Sequence, residues 1–326
     1  MSIKVAINGF GRIGRSVLRA LYASARQKDI KLVAINDVES INHSLELLKG
    51  DAVDGVFEAD LKVKGNSLMV GQDEIQYFSQ VNPVKLPWKE LDIDVVLECT
   101  GVFTQAEQSY MHCLAGAKKV LISAFSDDKV DATIVYGVNH DVLRPEFKVV
   151  SNGSCTINCL APMLKVLNEQ LGIESGLSTT LHAYNKEQLL AKEVGTSLIP
   201  TPTHSPSAIG RVLPELDGKI NGLSIRVPTI NVAVVDVTFN SEKETSVNEV
   251  NALMQKAALS GMNGVLKCNE QPSISAGFID DSASCIFDLT QTMVSQRQLV
   301  KVVAWFDNEW GFSNRMLDTA EAMMNC

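Results

Sequence analysis

Long apolar runs are missing from this chain: no stretch approaches the roughly 18 residues that would cross a membrane. Residues Met1–Val5 lead straight into a strand pattern instead of the charged-then-apolar pattern of a secretion signal. A basic excess is absent too. Lys and Arg number 29 against 38 Asp and Glu, so the net charge is −9, a poor basis for binding nucleic acid or an anionic membrane. Cysteine is sparse and odd in number, seven residues with no framework spacing. That speaks against a disulfide scaffold; the thiols read as reduced, the protein as cytoplasmic, and each Cys has to be explained singly. There are only five His, no repeat and no low-complexity linker. What remains is an ordinary globular composition, 45% hydrophobic and 21% charged over 326 residues. At roughly 150 residues per domain, that is length for about two domains.

The first half alternates short apolar runs with helical patterns. Ile3–Ile7, Lys31–Asn36, Asp94–Thr100, Lys119–Ser123, Ala132–Tyr136 and Val149–Asn152 read as buried strands, while Ser16–Ala25 carries Val17, Leu18, Leu21 and Tyr22 at helical spacing. Such alternation argues for a parallel sheet covered on both faces. Leu61–Tyr77 shifts towards period-two alternation, with a turn at Val70-Gly71-Gln72-Asp73, and predicts an inserted hairpin. From Gly153 onward the pattern changes. A helix over Thr156–Glu169 precedes β-rich stretches at Ser178–Tyr184, Leu223–Asn240 and Leu299–Asp307. Ser246-Val247-Asn248-Glu249 is a capping-box signature for a helix running to about Leu259, and Asn314–Met324 reads as a last helix. The fold class expected is α/β: a doubly wound parallel sheet, followed by an α+β domain.

Gly9-Phe10-Gly11-Arg12-Ile13-Gly14 fits G-x-G-x-x-G directly after an apolar strand and at the opening of a helix. The hexapeptide alone is weak, since glycines are common at turns. Asp37 strengthens it by ending the second strand 23 residues past the third glycine, close to the offset of an acid that binds ribose hydroxyls. Together they predict a Rossmann-type dinucleotide site, and the carboxylate favours NAD over NADP because it would repel a 2′-phosphate.

Cys155, in Ser151-Asn152-Gly153-Ser154-Cys155-Thr156, stands at the predicted start of a helix where the pattern changes. A helix N-terminus favours the thiolate, whereas an isolated Cys is as readily a small core residue. Cys159, one turn deeper on the same face, reads as a packed thiol, and Cys-x-x-x-Cys without a second ligand pair is no zinc signature, so no metal is expected. His182 lies on a predicted strand whose alternation can aim it at the thiol, although spacing alone does not separate it from a core histidine. His43, His112 and His140 read as surface or capping residues.

These residues bring the chain to a resemblance. Over nearly its whole length it resembles the glyceraldehyde-3-phosphate dehydrogenase family, in Val5–Arg15, Glu98–Phe103, Val150–Pro162, His182–Tyr184, Ser197–Thr201, Leu213–Lys219, Arg226–Val232 and Asp307–Arg315. Leu86–Leu91, Tyr136–Asn139, Thr290–Thr292 and Trp310-Gly311-Phe312 look more like the erythrose-4-phosphate dehydrogenase branch. The resemblance implies an NAD-binding domain over residues 1–153, completed by a C-terminal helix over 313–326, and a catalytic domain with a mostly antiparallel sheet over 154–312. It implies Cys155 as nucleophile through a hemithioacetal and a thioester, and His182 as its proton partner. Thr100, Gly101 and Ser123 would line the cofactor cleft, and Asn308 would hold the nicotinamide carboxamide. Arg226 and Asn185 would grip the substrate phosphate, with Ser154, Thr156 and Thr203 at a second anion site.

An aldose phosphate is the implied substrate. Erythrose 4-phosphate, oxidised to 4-phosphoerythronate with water as acyl acceptor, stands ahead of the phosphorylating oxidation of glyceraldehyde 3-phosphate. A non-catalytic NAD-binding relative is the alternative of another class. The resemblance also implies a homotetramer, which the departures put in doubt: Asn185–Pro200 is shorter than the family's loop and lacks its arginine-bearing stretch. His204 stands for a glycine and Ser207 for a lysine at the second anion site.

Overall fold

The computed structural model describes residues 2–51, 55–127, 129–184, 196–203 and 205–326. The chain divides into two compact units, one made of Met1–Ile134, His140–Gly153 and Ser313–Cys326, the other of Val135–Asn139 and Ser154–Phe312. Among the described residues no helix is long and apolar enough to cross a membrane.

Besides a two-stranded pair of Gly50–Asp51 with Gly55–Val56, the first unit holds a nine-stranded sheet built from β1 (Ile3–Asn8), β2 (Ile30–Asn36), β3 (Leu61–Lys64), β4 (Ser67–Val70), β5 (Asp73–Phe78), β6 (Val95–Glu98), β7 (Lys119–Ile122), β8 (Ala132–Thr133) and β9 (Val149–Ser151). Its order is β8-β9-β7-β6-β1-β2-β5-β4-β3. β6 reads Val-Val-Leu-Glu and β7 Lys-Val-Leu-Ile, and every residue of both is buried, the mark of strands covered on two faces. Helices α1 (Arg12–Ala23) and α2 (Ile41–Lys49) follow β1 and β2. β1 pairs in parallel with β2 on one side and β6 on the other, so the winding reverses between β1 and β6. In such sheets ligands bind at the carboxyl ends of the strands beside that reversal.

The inserted segment is larger than one hairpin. Gly65 as well as Gly71 adopts a left-handed conformation, each with φ 60°, so two tight turns fold β3, β4 and β5 into an antiparallel meander. β5 then joins the main sheet parallel to β2.

The second unit carries β10 (Ile173–Ala183), β11 (Ile199–Thr201), β12 (Ile220–Val227), β13 (Ala233–Ser241), β14 (Leu266–Asn269), β15 (Cys285–Asp288), β16 (Met293–Ser295) and β17 (Leu299–Phe306). The order is β11-β12-β10-β13-β17-β15-β14, with β16 beside β17. The pairings are antiparallel except β10 with β12 and β14 with β15. Helix α3 (Cys155–Leu171) packs over the face that Val235, Val237, Val302 and Ala304 bury. Further helices among the described residues include α4 (Ser205–Val212), α5 (Val247–Leu259) and α6 (Trp310–Asn325), the last of which returns the chain to the first unit at Ser313. Within that unit Lys119 Nζ donates to the Met323 carbonyl at 2.6 Å, a cation against the last carbonyls of α6.

Ser246 caps α5 by accepting from the Glu249 N–H at 3.3 Å, as its sequence signature predicts. The Glu249 carboxylate accepts from the Thr245 hydroxyl at 3.1 Å instead of reaching back to the cap, so only half of the box forms.

Phe287 in β15 is fully buried and Leu259 at the end of α5 is 87% exposed. Phe287→Ala is expected to lower stability by about 3–5 kcal/mol through the cavity it leaves, and Leu259→Ala by under about 0.5 kcal/mol, both read from urea midpoints.

Candidate active and cofactor sites

In the first unit, the turn from β1 into α1 is shaped by two glycines that admit no side chain. Gly9 has φ +91°, and a Cβ there would lie 2.5 Å from the Thr100 nitrogen. At Gly14 a Cβ would lie 2.2 Å from the Gly9 carbonyl oxygen, so the helix packs on the loop only without one. Gly11 is different: a Cβ there meets nothing within 4 Å, and its bare backbone faces open space. A cleft of about 290 Å³ beside it is lined by Gly9, Gly11, Asp37 and Thr100, together with Asn8, Asn36, Gln80 and Phe103 among others.

Asp37 Oδ2 accepts the Phe10 N–H at 2.5 Å and Oδ1 accepts the Glu39 N–H at 2.9 Å. The acid therefore clasps the glycine loop while staying half-exposed at the cleft. Phe10 is buried, Arg12, Ile13 and Gly14 form the first turn of α1, and Gly101 turns with φ 70° on the surface beside Thr100. The Ser123 N–H donates to the Glu98 carbonyl at 2.9 Å, at the end of β7.

In the second unit, Cys155 is the first residue of α3, with Ser154 as cap accepting the Ile157 N–H at 3.3 Å. His182 sits near the end of β10. Ser178 and Thr180 point inward there while Leu177 and Leu181 point out, so alternation aims the imidazole inward with them. Cys155 Sγ and His182 Nε2 are 3.5 Å apart, within hydrogen-bond reach for sulfur. Arg226 is His182's register partner on the parallel neighbour β12. Its Nη1 lies 2.5 Å from His182 Nδ1 and donates to the Ala183 carbonyl at 2.8 Å. The Phe306 ring meets the imidazole edge-on at 6.2 Å between centroids. Three strand and helix ends thus bring a thiol, an imidazole and a guanidinium together.

The helix N-terminus alone does not make the thiol acidic. Burial pushes Cys155 up to about 11, and the carboxylate of Glu309 acts in the same direction. The Arg226 charge and the N–H and hydroxyl of Thr156, both hydrogen-bonded to the sulfur, pull the other way without prevailing. This corrects the expectation drawn from the helix start and leaves the proton's destination to His182. Cys159 is fully buried and its thiol is pushed far up, chiefly by burial and then by Cys285. That fits a packed, unreactive thiol.

Two buried polar atoms are left over for a ligand. Arg226 Nε and Asn308 Oδ1 are buried without a hydrogen-bond partner among the described residues. An oxyanion would satisfy the first and a carboxamide N–H the second. Thr203 donates to Ser205 Oγ at 3.1 Å and accepts its N–H, so it serves the start of α4 and makes no hydrogen bond to Cys155 or Arg226. Asn185, His204, the side chain of Ser207 and most of the shortened loop lie outside the described residues.

His43 is exposed and His140 half-buried, but His112 is a correction. It is fully buried and hydrogen-bonded to Trp88 and Glu98, where a surface or capping residue was expected. Sequence reading also missed Glu309 beside the thiol, whose only signal is its place directly after Asn308.

A strand–turn–helix dinucleotide cradle on one unit and a thiol–imidazole pair on the other define the class of an NAD-dependent aldehyde dehydrogenase. The family profile for the glyceraldehyde 3-phosphate dehydrogenase NAD binding domain matches residues 3–106, and that for the C-terminal domain matches residues 154–308. The chain is 50% identical over 333 residues to the chromosomal glyceraldehyde-3-phosphate dehydrogenase of Cupriavidus necator, covering 99% of each. It is 50% identical over 333 residues to the glyceraldehyde-3-phosphate dehydrogenase of Pseudomonas aeruginosa, covering 99% of this chain and 98% of that one. Against the enzyme of that name from Zymomonas mobilis it is 45% identical over 334 residues, covering 99% of each. The chain belongs to the glyceraldehyde-3-phosphate dehydrogenase family and, as such, oxidises an aldose phosphate with NAD.

Two outcomes test this geometry. Gly11→Ala is expected to fold with an unchanged melting temperature yet bind NAD about tenfold more weakly, whereas Gly9→Ala loses stability as well, measured by thermal melts with and without NAD. Alkylation of Cys155 in the NAD-free His182→Asn protein, where no imidazole takes the proton, should quicken with rising pH towards a midpoint near 11. Because Glu309 opposes the thiolate and Arg226 favours it, Glu309→Gln should move that midpoint down and Arg226→Gln up.

Proposed function

We propose that the chain oxidises glyceraldehyde 3-phosphate, with inorganic phosphate as acyl acceptor, through a covalent thioester on Cys155. The contact of Cys155 Sγ with His182 Nε2 at 3.5 Å, with Arg226 against the same imidazole, carries this reading. With the His182 ring proton on Nδ1, 3.0 Å from the Ala183 carbonyl, Nε2 takes the thiol proton as sulfur attacks the aldehyde carbon, forming a C–S bond and a hemithioacetal. Arg226 holds the phosphate of the substrate through its unsatisfied edge. Gly9, Gly11, Asp37 and Thr100 would hold NAD at the first unit, and Asn308 the carboxamide; bound NAD supplies the two-electron acceptor that turns the hemithioacetal into a thioester. The acceptor oxygen then displaces sulfur, and His182 returns the proton to the thiolate. In this reading residues 1–153 with 313–326 are the cofactor domain and 154–312 the catalytic domain.

Two observations favour the three-carbon sugar. The relatives of about half identity are named for it. Of the residues that look like the erythrose branch, Trp88, Phe312 and Val138 serve the packing, being 0%, 4% and 8% exposed, and Lys89, Glu90, Thr290 and Gln291 lie on the surface. Erythrose 4-phosphate with water as acceptor stays the second reading, supported by those same sequence stretches.

We place the protein in the cytoplasm on its seven free thiols. We further propose a homo-oligomer, because the open face of the second sheet exposes Leu177, Leu181 and Leu223.

Parallel steady-state assays on both aldehydes, with and without phosphate, test the substrate. The expected result is turnover of glyceraldehyde 3-phosphate that requires phosphate; faster turnover of erythrose 4-phosphate without phosphate overturns it. Cys155→Ser should lose about 10³-fold or more of kcat on either substrate.

A further inference from the structure

Below the cofactor cleft lies a buried polar network that the chemistry above does not use. At its centre is Glu98, the last residue of β6, 1% exposed. Its Oε1 accepts the Thr100 N–H at 2.8 Å and the Thr100 hydroxyl at 2.5 Å. Its Oε2 accepts Asn8 Nδ2 at 2.5 Å and pairs with His112 Nε2 at 3.0 Å. The direction of that last bond is fixed from the far side of the ring. The Trp88 indole N–H, which can only donate, hydrogen-bonds to His112 Nδ1 at 2.9 Å, so Nε2 carries the ring proton and donates a hydrogen bond to Glu98. Asn8 in turn accepts from Asn36 Nδ2 at 2.7 Å, and Asn36 accepts the Gln80 N–H at 2.8 Å.

Asn8, Asn36 and Glu98 are the last residues of β1, β2 and β6. Each therefore sits within two residues of a group facing the cleft: Gly9, Asp37 and Thr100. A buried carboxylate whose two oxygens accept from Thr100 just past its own strand, from Asn8 at the end of β1 and from the helical His112, with no Lys or Arg among those partners, holds one arrangement of these groups. The clearance at Gly9 shows how narrow that arrangement is, since a single added carbon would collide with the Thr100 backbone.

We propose that Glu98 is a positioning residue for NAD, which fixes Thr100 and Gly9 against each other through Asn8 and His112 without touching the cofactor. The proposal rests on the reading of Gly9, Asp37 and Thr100 as the NAD site. Glu98→Gln keeps the shape but turns one acceptor oxygen into an N–H₂ donor facing donors, so either Thr100 or the Asn8–His112 side is released.

The test is calorimetric titration of the whole protein with NAD, beside steady-state kinetics and circular dichroism, for wild type, Glu98→Gln and Asp37→Ala. Glu98→Gln is expected to raise Kd and KM for NAD about tenfold, as for one lost charge-assisted hydrogen bond, with kcat and the aldehyde KM within about twofold and the fold intact. An NAD Kd within about twofold of wild type overturns the proposal, and so does a fall in kcat at unchanged KM for NAD. If Asp37→Ala weakens NAD binding while Glu98→Gln does not, only this proposal fails; if Asp37→Ala leaves NAD binding unchanged, the site assignment falls and the proposal with it. Should Glu98→Gln not fold, His112→Phe removes the proton donated to Glu98 from a residue outside the cleft lining and is judged by the same two limits.

Discussion

The chemistry of this protein depends on one contact, a sulfur atom at the first turn of a helix within reach of an imidazole on a strand. His182 Nε2 is the base within hydrogen-bond reach of that sulfur among the described residues. Burial holds the thiol at about 11 and Glu309 adds to the difficulty, while Arg226 and the donors of Thr156 offset only part of it. A thiolate at neutral pH therefore has to be made in partnership, with the proton on His182 and the negative charge beside Arg226. The geometry is economical in this respect: the guanidinium that lies against the imidazole also keeps a free, buried N–H for an oxyanion.

That contact is a product of sheet topology. Cys155 and His182 are 27 residues apart and Arg226 a further 44, and they converge because β10 and β12 pair in parallel with His182 and Arg226 in register. A one-residue slip of β10 would turn His182 to the outer face with Leu177 and Leu181. The alternation Ser178, Thr180, His182 inward against Leu177, Thr179, Leu181 outward is what holds the imidazole to its side. In the first unit the corresponding constraint is steric. Gly9 and Gly14 are glycines because the chain itself leaves no room, whereas Gly11 is bare towards the cleft.

Much of this is legible in the amino-acid sequence. The apolar runs gave β1, β2, β6, β7 and β9 nearly to the residue, since strands buried on both faces must be apolar throughout. The glycine fingerprint and Asp37 announced the cradle because their spacing follows from strand, turn and helix lengths. Cys155 is a candidate through its place at a helix start, whereas His182 on its strand is separated from a core histidine only by the resemblance. Other features were not legible, for physical reasons. Arg226 came only by resemblance, because a strand pairing 44 residues away leaves no local pattern. His112 looks like a surface residue because its burial is made possible by partners, Trp88 and Glu98, that no periodicity links. The helix start misled for the thiol's acidity, because a sequence shows the favourable helix end but not how deeply the sulfur is buried.

The most direct measurement of the central claim is the ultraviolet absorbance of the Cys155 thiolate across pH, taken as the difference from Cys155→Ser, in the wild type and in His182→Asn. The account predicts a thiolate signal present at neutral pH in the wild type and displaced to clearly higher pH when the imidazole is gone. Identical titrations in the two proteins would contradict it, since the sulfur would then be losing its proton without His182.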